Sequence, residues 1–321
     1  MKIFPLTLIP SDTKIDFMRA RTPAVLLGLL LFLGAIGTIL LNGYNFALDF
    51  TGGTAVTLRF DQPADVEMVR SRLADTGHEN AQVQAFGAGN DMLVRLQAEG
   101  DQMTVDENTA LVAEVVEAVS TAENPATVLT SESIGSQVSA ELTERAIEAA
   151  IFVLVGFLIY IGFRFEWKFA IVASVTTLFD VIIVAAFFSL SGREFDLTVL
   201  AGLLSVMGFS INDTIVVFDR VRENFRTVRA DPLEIFNRSI NQTLSRTIIT
   251  SVVFFLSVSA LYIYGGGSLE SLALTQMVGA VVATLSSIFL ACPLLTYGFL
   301  KVTKQDLLPK AKDEAALARR P

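Results

Sequence analysis

The feature that most constrains this chain is a set of six apolar runs, at about residues 23–41, 147–163, 169–190, 197–218, 247–264 and 273–300. A helix rises 1.5 Å per residue, so about 20 apolar residues cover the roughly 30 Å of a bilayer's hydrocarbon core. Each run is therefore expected to be a membrane-spanning helix. The composition agrees: 52% of the residues are hydrophobic, 24 are Phe and the mean hydropathy is +0.55, too apolar for a surface that faces only water. Six such spans take over a third of the 321 residues and leave one medium-sized soluble domain. The first run is too long for a signal-peptide core and no small-x-small cleavage site follows it, so it is expected to stay as an anchor. The expected fold is an all-α six-helix membrane bundle with one α/β domain. Its segments are a cytoplasmic N-terminus (1–22), a first span (23–42), the soluble domain (43–143), spans two to six (144–301) and a cytoplasmic tail (302–321).

Basic residues set the orientation. Lys2, Lys14, Arg19 and Arg21 precede the first span, and Arg164 and Lys168 separate spans two and three. Arg220, Arg222, Arg226, Arg229 and Arg238 fill what reads as a loop before span five, and Lys301, Lys304, Lys310, Lys312, Arg319 and Arg320 lie in the tail. All four groups fall on one side of a six-span arrangement, so the positive-inside rule makes both termini cytoplasmic. Residues 43–143 hold no lysine and only Arg59, Arg70, Arg72 and Arg95, so this domain is expected outside, in the periplasm of a two-membrane cell. The formal charge of -9 argues against a nucleic-acid partner, which needs a basic footprint.

The outer segment has the rhythm of a small α/β domain. Residues 54–60 alternate as a strand, 64–75 have helical period, 81–86 and 91–97 read as strands, 105–120 as a helix and 126–130 as a last strand. That order is the one of a ferredoxin-like split βαβ unit. Residues 193–196 and 265–270 read as short outer loops, and the glycines of the second lack the Lys-Ser/Thr of a phosphate-binding loop.

An ionised side chain in hydrocarbon is costly, which makes intramembrane carboxylates the informative positions. Asp180 falls near the middle of span three, and Asp213 lies inside the cytoplasmic end of span four. Around Asp213, in Ser210-Ile211-Asn212-Asp213-Thr214, helical spacing places Ser210 on the same face and Arg220 at that face's cytoplasmic boundary. Ser210, Asn212, Thr214 and Arg220 thus form a polar stripe that supports Asp213. Desolvation and a nearby cation push a carboxylate's proton affinity in opposite directions, so such a residue can take and release protons near neutral pH. The alternative is that Asp213 hydrogen-bonds a neighbouring helix as packing glue, and for Asp180 the same two readings stand open. Arg246 opens span five; pointing inward it could stabilise a carboxylate without carrying protons, but on its own it reads more readily as an anchor at the interface. The single Cys292 reads as a small buried hydrophobe, and the single His78 in the soluble domain cannot serve an intramembrane relay or hold a metal alone. No cofactor or metal site is expected.

Asn45-Phe46-Ala47-Leu48-Asp49-Phe50-Thr51-Gly52-Gly53-Thr54, just after span one, resembles the Asp-Phe-Thr-Gly-Gly-Thr motif of the SecF subunits of the SecD/SecF family, within the resistance-nodulation-division superfamily. Residues 210–224 resemble that family's fourth-span signature, and Ser239-Ile240-Asn241-Gln242-Thr243-Leu244-Ser245-Arg246-Thr247 its fifth-span entry. The resemblance covers nearly the whole chain. It implies an inner-membrane protein that uses the proton-motive force with SecD, beside the SecYEG channel and YajC, to promote late stages of export of a secreted polypeptide. It also implies that Asp213 is the proton-pathway carboxylate, Arg246 its partner and Asp180 the third-span Asp. Two departures stand out: Phe179 replaces the family's His before that Asp, and Ser133-Ile134-Gly135-Ser136 replaces a Val-Gly-Pro turn, leaving Gly135 to shape the link. In the first motif, Gly52 and Gly53 can take angles other residues resist and Asp49 can cap or pair locally, which reads as a hinge. Two rival functions stay in view: proton-coupled efflux of lipids or small molecules, and an aspartyl protease dyad of Asp180 and Asp213, whose surrounding residues do not match that class.

Overall fold

The computed structural model describes residues 13–86, 90–96, 105–303 and 306. Lys2, the tail bases Lys304, Lys310, Lys312, Arg319 and Arg320, and Gln97 at the end of the fourth expected strand region lie outside the described residues. The chain order is α1 (Arg21–Asn42), β1 (Asn45–Phe46), α2 (Leu48–Thr51), β2 (Gly53–Phe60), α3 (Val66–Asp75), β3 (Gln82–Phe86), β4 (Asp91–Leu96), α4 (Val105–Val119), β5 (Ala126–Ile134) and α5 (Ser136–Arg164). It continues with α6 (Trp167–Ser191), β6 (Glu194–Phe195), α7 (Leu197–Thr227), α8 (Pro232–Tyr264), α9 (Gly267–Ser286), a π-helical turn (Ser287–Ala291) and α10 (Cys292–Leu294). Six of the described helical segments are long and apolar enough to cross a membrane. The chain divides into an α/β unit, Asn45–Ile151 with Glu194–Leu197, and a helical unit made of the rest.

In the α/β unit the sheet is antiparallel in the order β3-β4-β2-β5. The period-two alternation of β2 puts Val56, Leu58 and Phe60 inward, where they meet Met92 and Val94 of β4, Val69 and Leu73 of α3, and Val115 and Val119 of α4. Asp65 caps α3 by accepting the Glu67 N–H at 3.2 Å. The last strand runs on to Ile134, past the expected end at 130, because Ser131, Glu132 and Ser133 pair with Val56, Ala55 and Thr54 on an edge whose side chains face solvent. Their polarity hid the strand. A register shift opposite Thr57 and Leu58 absorbs the extra residue.

In the helical unit, α7 and α9 approach closely. A Cβ on Gly202 would lie 2.7 Å from Thr275 Cβ, and one on Gly279 would overlap the Val206 side chain. Small residues are what let two membrane helices touch along their backbones. Phe165, Phe169 and Phe218 pack edge-on or stacked, with ring centroids 5.1 to 6.5 Å apart. The stretch 220–238, read above as a loop, is almost wholly helical: only residues 228–231 break it. Asp231 accepts the Leu233 N–H at 3.0 Å and Pro232 sits at the first helical position, a start signal for α8 that the arginine-rich composition obscured. Asn224 donates to Ser239 Oγ and Gln242 Oε1, each at 2.9 Å, tying these polar extensions together. Ahead of α1, the backbone of Ile15 exchanges two hydrogen bonds with the Asn241 side chain, at 3.0 and 2.8 Å, and Met18 N–H donates to Asn237 Oδ1 at 2.9 Å. The second expected loop shrinks to Gly265 and Gly266, since α9 begins at Gly267.

Candidate functional site

Asp180 on α6 and Asp213 on α7 are 0% and 2% exposed. Among the described residues neither carboxylate makes an ion pair within 4.0 Å; each is held by hydroxyls. Ser210 Oγ donates to Asp180 Oδ2 at 2.5 Å, and the Thr177 hydroxyl lies 3.4 Å from Ser210 Oγ. Asp180 Oδ1 has no hydrogen-bond partner among the described residues. Ser286 of α9 faces the same carboxylate while donating to the Ala283 carbonyl at 3.1 Å. Asp213 Oδ2 lies 3.4 Å from Ser251 Oγ on α8, and Ser251 Oγ lies 2.8 Å from Thr284 Oγ1 on α9. Four helices therefore contribute to one buried polar layer.

The expected stripe beside Asp213 is redistributed. Ser210 serves Asp180 instead, because its hydroxyl points toward α6. Arg220 pairs with Glu223 one turn on, at 2.9 Å, and takes no part in the layer. Asn212 is exposed on the opposite side of α7. Thr214 is fully buried and its Oγ1 has no partner among the described residues. Arg246 is exposed on the surface of α8; its charge reaches Asp213 without forming an ion pair. The two aspartates share no hydrogen bond, as a protease dyad would require.

The glycine motif belongs to the α/β unit. Gly52 has φ +65° and Gly53 φ +112°, angles that favour glycine, and a Cβ on Gly52 would meet Ser136 Cα at 3.3 Å. Gly135 is the whole link between β5 and α5. Asp49 Oδ2 accepts the Leu197 N–H at 3.0 Å, and β1 pairs in parallel with β6, so residues 194–195 form a strand where a loop was expected. Arg95, 8% exposed, reaches from β4 to this pair: it forms an ion pair with Glu194 and donates to Asn45 Oδ1 at 2.9 Å and Phe46 O at 3.3 Å.

Ser251, Thr284, Ser286, Thr177 and Arg95 were not singled out from sequence. Ser and Thr are common inside spans because they bond their own helix carbonyls, so their presence alone does not mark a site. Arg95 sits in an apolar strand, and that incongruity was the available signal.

Residues 114–300 match the family profile described as protein export membrane protein SecD/SecF, C-terminal, and residues 39–64 match the SecD/SecF GG motif. The chain is 44% identical to protein translocase subunit SecF of Pseudomonas aeruginosa over 93% of its length and 96% of that protein's. To the Escherichia coli O157:H7 subunit of the same name it is 40% identical, over 87% of this chain and 86% of that one. It superposes on the crystal structure of SecDF, a translocon-associated membrane protein from Thermus thermophilus, with a TM-score of 0.78 and 37% identity. That match covers 90% of this chain and only 39% of the longer SecDF chain.

Proposed function

Because the chain belongs to the SecF branch of the SecD/SecF family of protein export membrane proteins, we propose that it is a non-enzymatic translocase subunit that spends the proton-motive force on late stages of protein export. One observation carries the proton reading: two carboxylates lie inside an apolar helical unit and meet hydroxyls where an ion pair would fix their charge. A group held this way can change protonation without abandoning a salt bridge. Asp213 takes a proton from the outer side, its attraction to Arg246 weakens, and the helices shift to a second packing that moves the α/β unit. Release to the cytoplasm resets it. Asp180 with Ser210 forms the neighbouring station, Thr214 lines the buried layer, and Asp49, Gly52 and Gly53 are the hinge. Each proton supplies about 2.3 kcal/mol per 100 mV, so substantial work on a polypeptide takes several.

A multi-pass inner-membrane location with cytoplasmic termini fits the distribution of charge. The Arg164–Asp219, Arg222–Glu166 and Lys168–Asp306 pairs gather at the ends read as cytoplasmic. The sheet order β3-β4-β2-β5 with two intervening helices supports a ferredoxin-like reading of the α/β unit, placed in the periplasm. The fused SecDF relative supports SecD as partner. The SecYEG channel, YajC and the secreted polypeptide complete the assembly we envisage.

The test uses inner-membrane vesicles carrying an arrested export intermediate and an imposed proton gradient. Asp213→Asn is expected to remove the gradient's stimulation of completion while the complex still assembles. Gradient-driven completion at the wild-type rate in that variant would overturn the proposal.

A further inference from the structure

Ser251 and Thr284 each have two acceptors within reach and one proton to give. Ser251 Oγ lies 3.4 Å from Asp213 Oδ2 and 2.8 Å from its own helix carbonyl, Thr247 O. Thr284 Oγ1 lies 2.8 Å from Ser251 Oγ and 2.6 Å from its own carbonyl, Ala280 O. A hydroxyl donates one hydrogen bond, so each pair of contacts names two exclusive states. The shorter distances are those to the helix carbonyls.

We infer that Ser251 and Thr284 form a directional hydroxyl switch that reads the protonation state of Asp213 and converts it into the presence or absence of a bridge between α8 and α9. The inference deepens the proposed function and rests on Asp213 exchanging protons. With Asp213 charged, Ser251 O–H turns to the carboxylate and Thr284 O–H follows it onto Ser251 Oγ, so α7, α8 and α9 are joined in one chain of donors. With Asp213 neutral, its acid O–H donates to Ser251 Oγ. Ser251 then gives its proton to Thr247 O; its oxygen, already accepting from the acid and no longer polarised by donating to a carboxylate, is the weaker acceptor for Thr284, whose proton goes to the nearer Ala280 O, so the α8–α9 bridge opens. No atom beyond the proton on Asp213 is gained or lost; every other proton stays on its oxygen.

Two features favour a switch over passive packing. A charge-assisted hydrogen bond is roughly twice as strong as a neutral one, so ionising Asp213 outbids the helix carbonyl for the Ser251 proton and neutralising it does not. Just beyond Thr284, α9 passes into the π-helical turn Ser287–Ala291, ahead of Pro293, which lacks the N–H that the Phe289 carbonyl would need. The helix is thus already interrupted next to the bridge. Among the described residues the charged group whose field reaches Asp213 is Arg246 on α8; Asp180 on α6 is engaged by Ser210 instead, and the α9 residues of the layer, Thr284 and Ser286, are not ionisable.

The experiment uses the full chain reconstituted with its SecD partner and reads two things: the infrared carbonyl band of protonated Asp213, identified by its loss in Asp213→Asn, and gradient-driven proton flux. Ser251→Ala is expected to move the band to higher wavenumber and lower the flux about five- to tenfold, the worth of one hydrogen bond of about 1 to 1.4 kcal/mol. Ser251→Thr restores both. Thr284→Val moves both in the same direction by less, and Thr284→Ser restores them. Ser257→Ala, which loses only a bond to Val253 O at 2.8 Å, changes neither. A Ser251→Ala protein with an unmoved band overturns the switch whatever its flux, since Ser251 would then be at most structural. If Asp213→Asn still abolishes flux in that outcome, the proposed function stands without the switch. Flux that survives Asp213→Asn removes both.

Discussion

In the α/β unit, Arg59 meets Asp91 through two bonds of 2.7 and 2.8 Å and Arg95 meets Glu194, while the core beneath them holds Val, Leu, Phe and Met. In the helical unit the pattern is turned inside out: Leu26, Phe152, Leu190 and Leu256 are exposed, and Asp180, Ser210, Asp213, Ser251 and Thr284 are buried. Arginines pair with carboxylates in both units. At the ends of the helices Arg164 and Arg222 find Asp219 and Glu166, yet among the described residues the hydrogen-bond partners of the two buried carboxylates are hydroxyls. A guanidinium fixes a carboxylate in its charged form, as the hydrogen bond and charge of Arg59 do in holding Asp91 below the usual carboxylate range. A hydroxyl can serve either protonation state. The contrast teaches that stability and proton exchange ask for opposite partners, and that this chain separates them by region.

The largest effect that would sharpen this contrast is expected at Arg95. Arg95→Met removes the ion pair to Glu194 and one of the hydrogen bonds of Asn45 and should cost about 1–3 kcal/mol, less than a fully buried pair because Glu194 is 36% exposed. Hydrogen–deuterium exchange of the full-length protein should show lost protection in β1, β4 and β6. Unchanged exchange there would mean the pair is decorative. A smaller effect is expected from Asp180→Asn, whose amide oxygen still accepts the Ser210 hydroxyl: thermal unfolding should shift by less than about 1 kcal/mol, with proton-driven function impaired. A loss as large as that at Arg95 would mean Asp180 holds the fold by its charge, and the contrast between regions would fail. The smallest effect concerns Asp306. Partial desolvation raises its proton affinity, but Lys168 at 2.8 Å and Thr303 outweigh it and hold the carboxyl below its ordinary value. A depressed carboxylate stabilises above its unfolded value, about 3.9, and loses that contribution as pH falls through the folded value. The contact should therefore be intact at neutral pH and release only below about pH 4, which proteolysis of the tail as a function of pH would detect.

How much of this was legible in the sequence follows the range of the forces involved. The alternation through Val56, Leu58 and Phe60 and the long apolar runs are local patterns, and the strands and spans fall where those patterns place them. The Asp231-Pro232 start of α8 is also local but was masked by the five arginines around it. Asp180 and Asp213 were legible as costly residues. Their partners were not, because which face of each helix turns toward its neighbours depends on tertiary packing, as where α7 meets α9 through Gly202 against Thr275 and Gly279 against Val206. Ser210 illustrates the limit: spacing put it beside Asp213 on one helix, and packing gave its proton to Asp180 on another. The parallel pair of Asn45–Phe46 with Glu194–Phe195 joins segments about 150 residues apart, beyond the reach of any periodicity.

The central claim, that a carboxylate kept free of ion pairs moves protons, is tested most directly by proton flux through proteoliposomes containing the chain and its SecD partner under an imposed gradient, read with an internal pH dye. Wild type should conduct protons and Asp213→Asn should not, with equal amounts of assembled complex in both. Equal flux from the two would contradict the account.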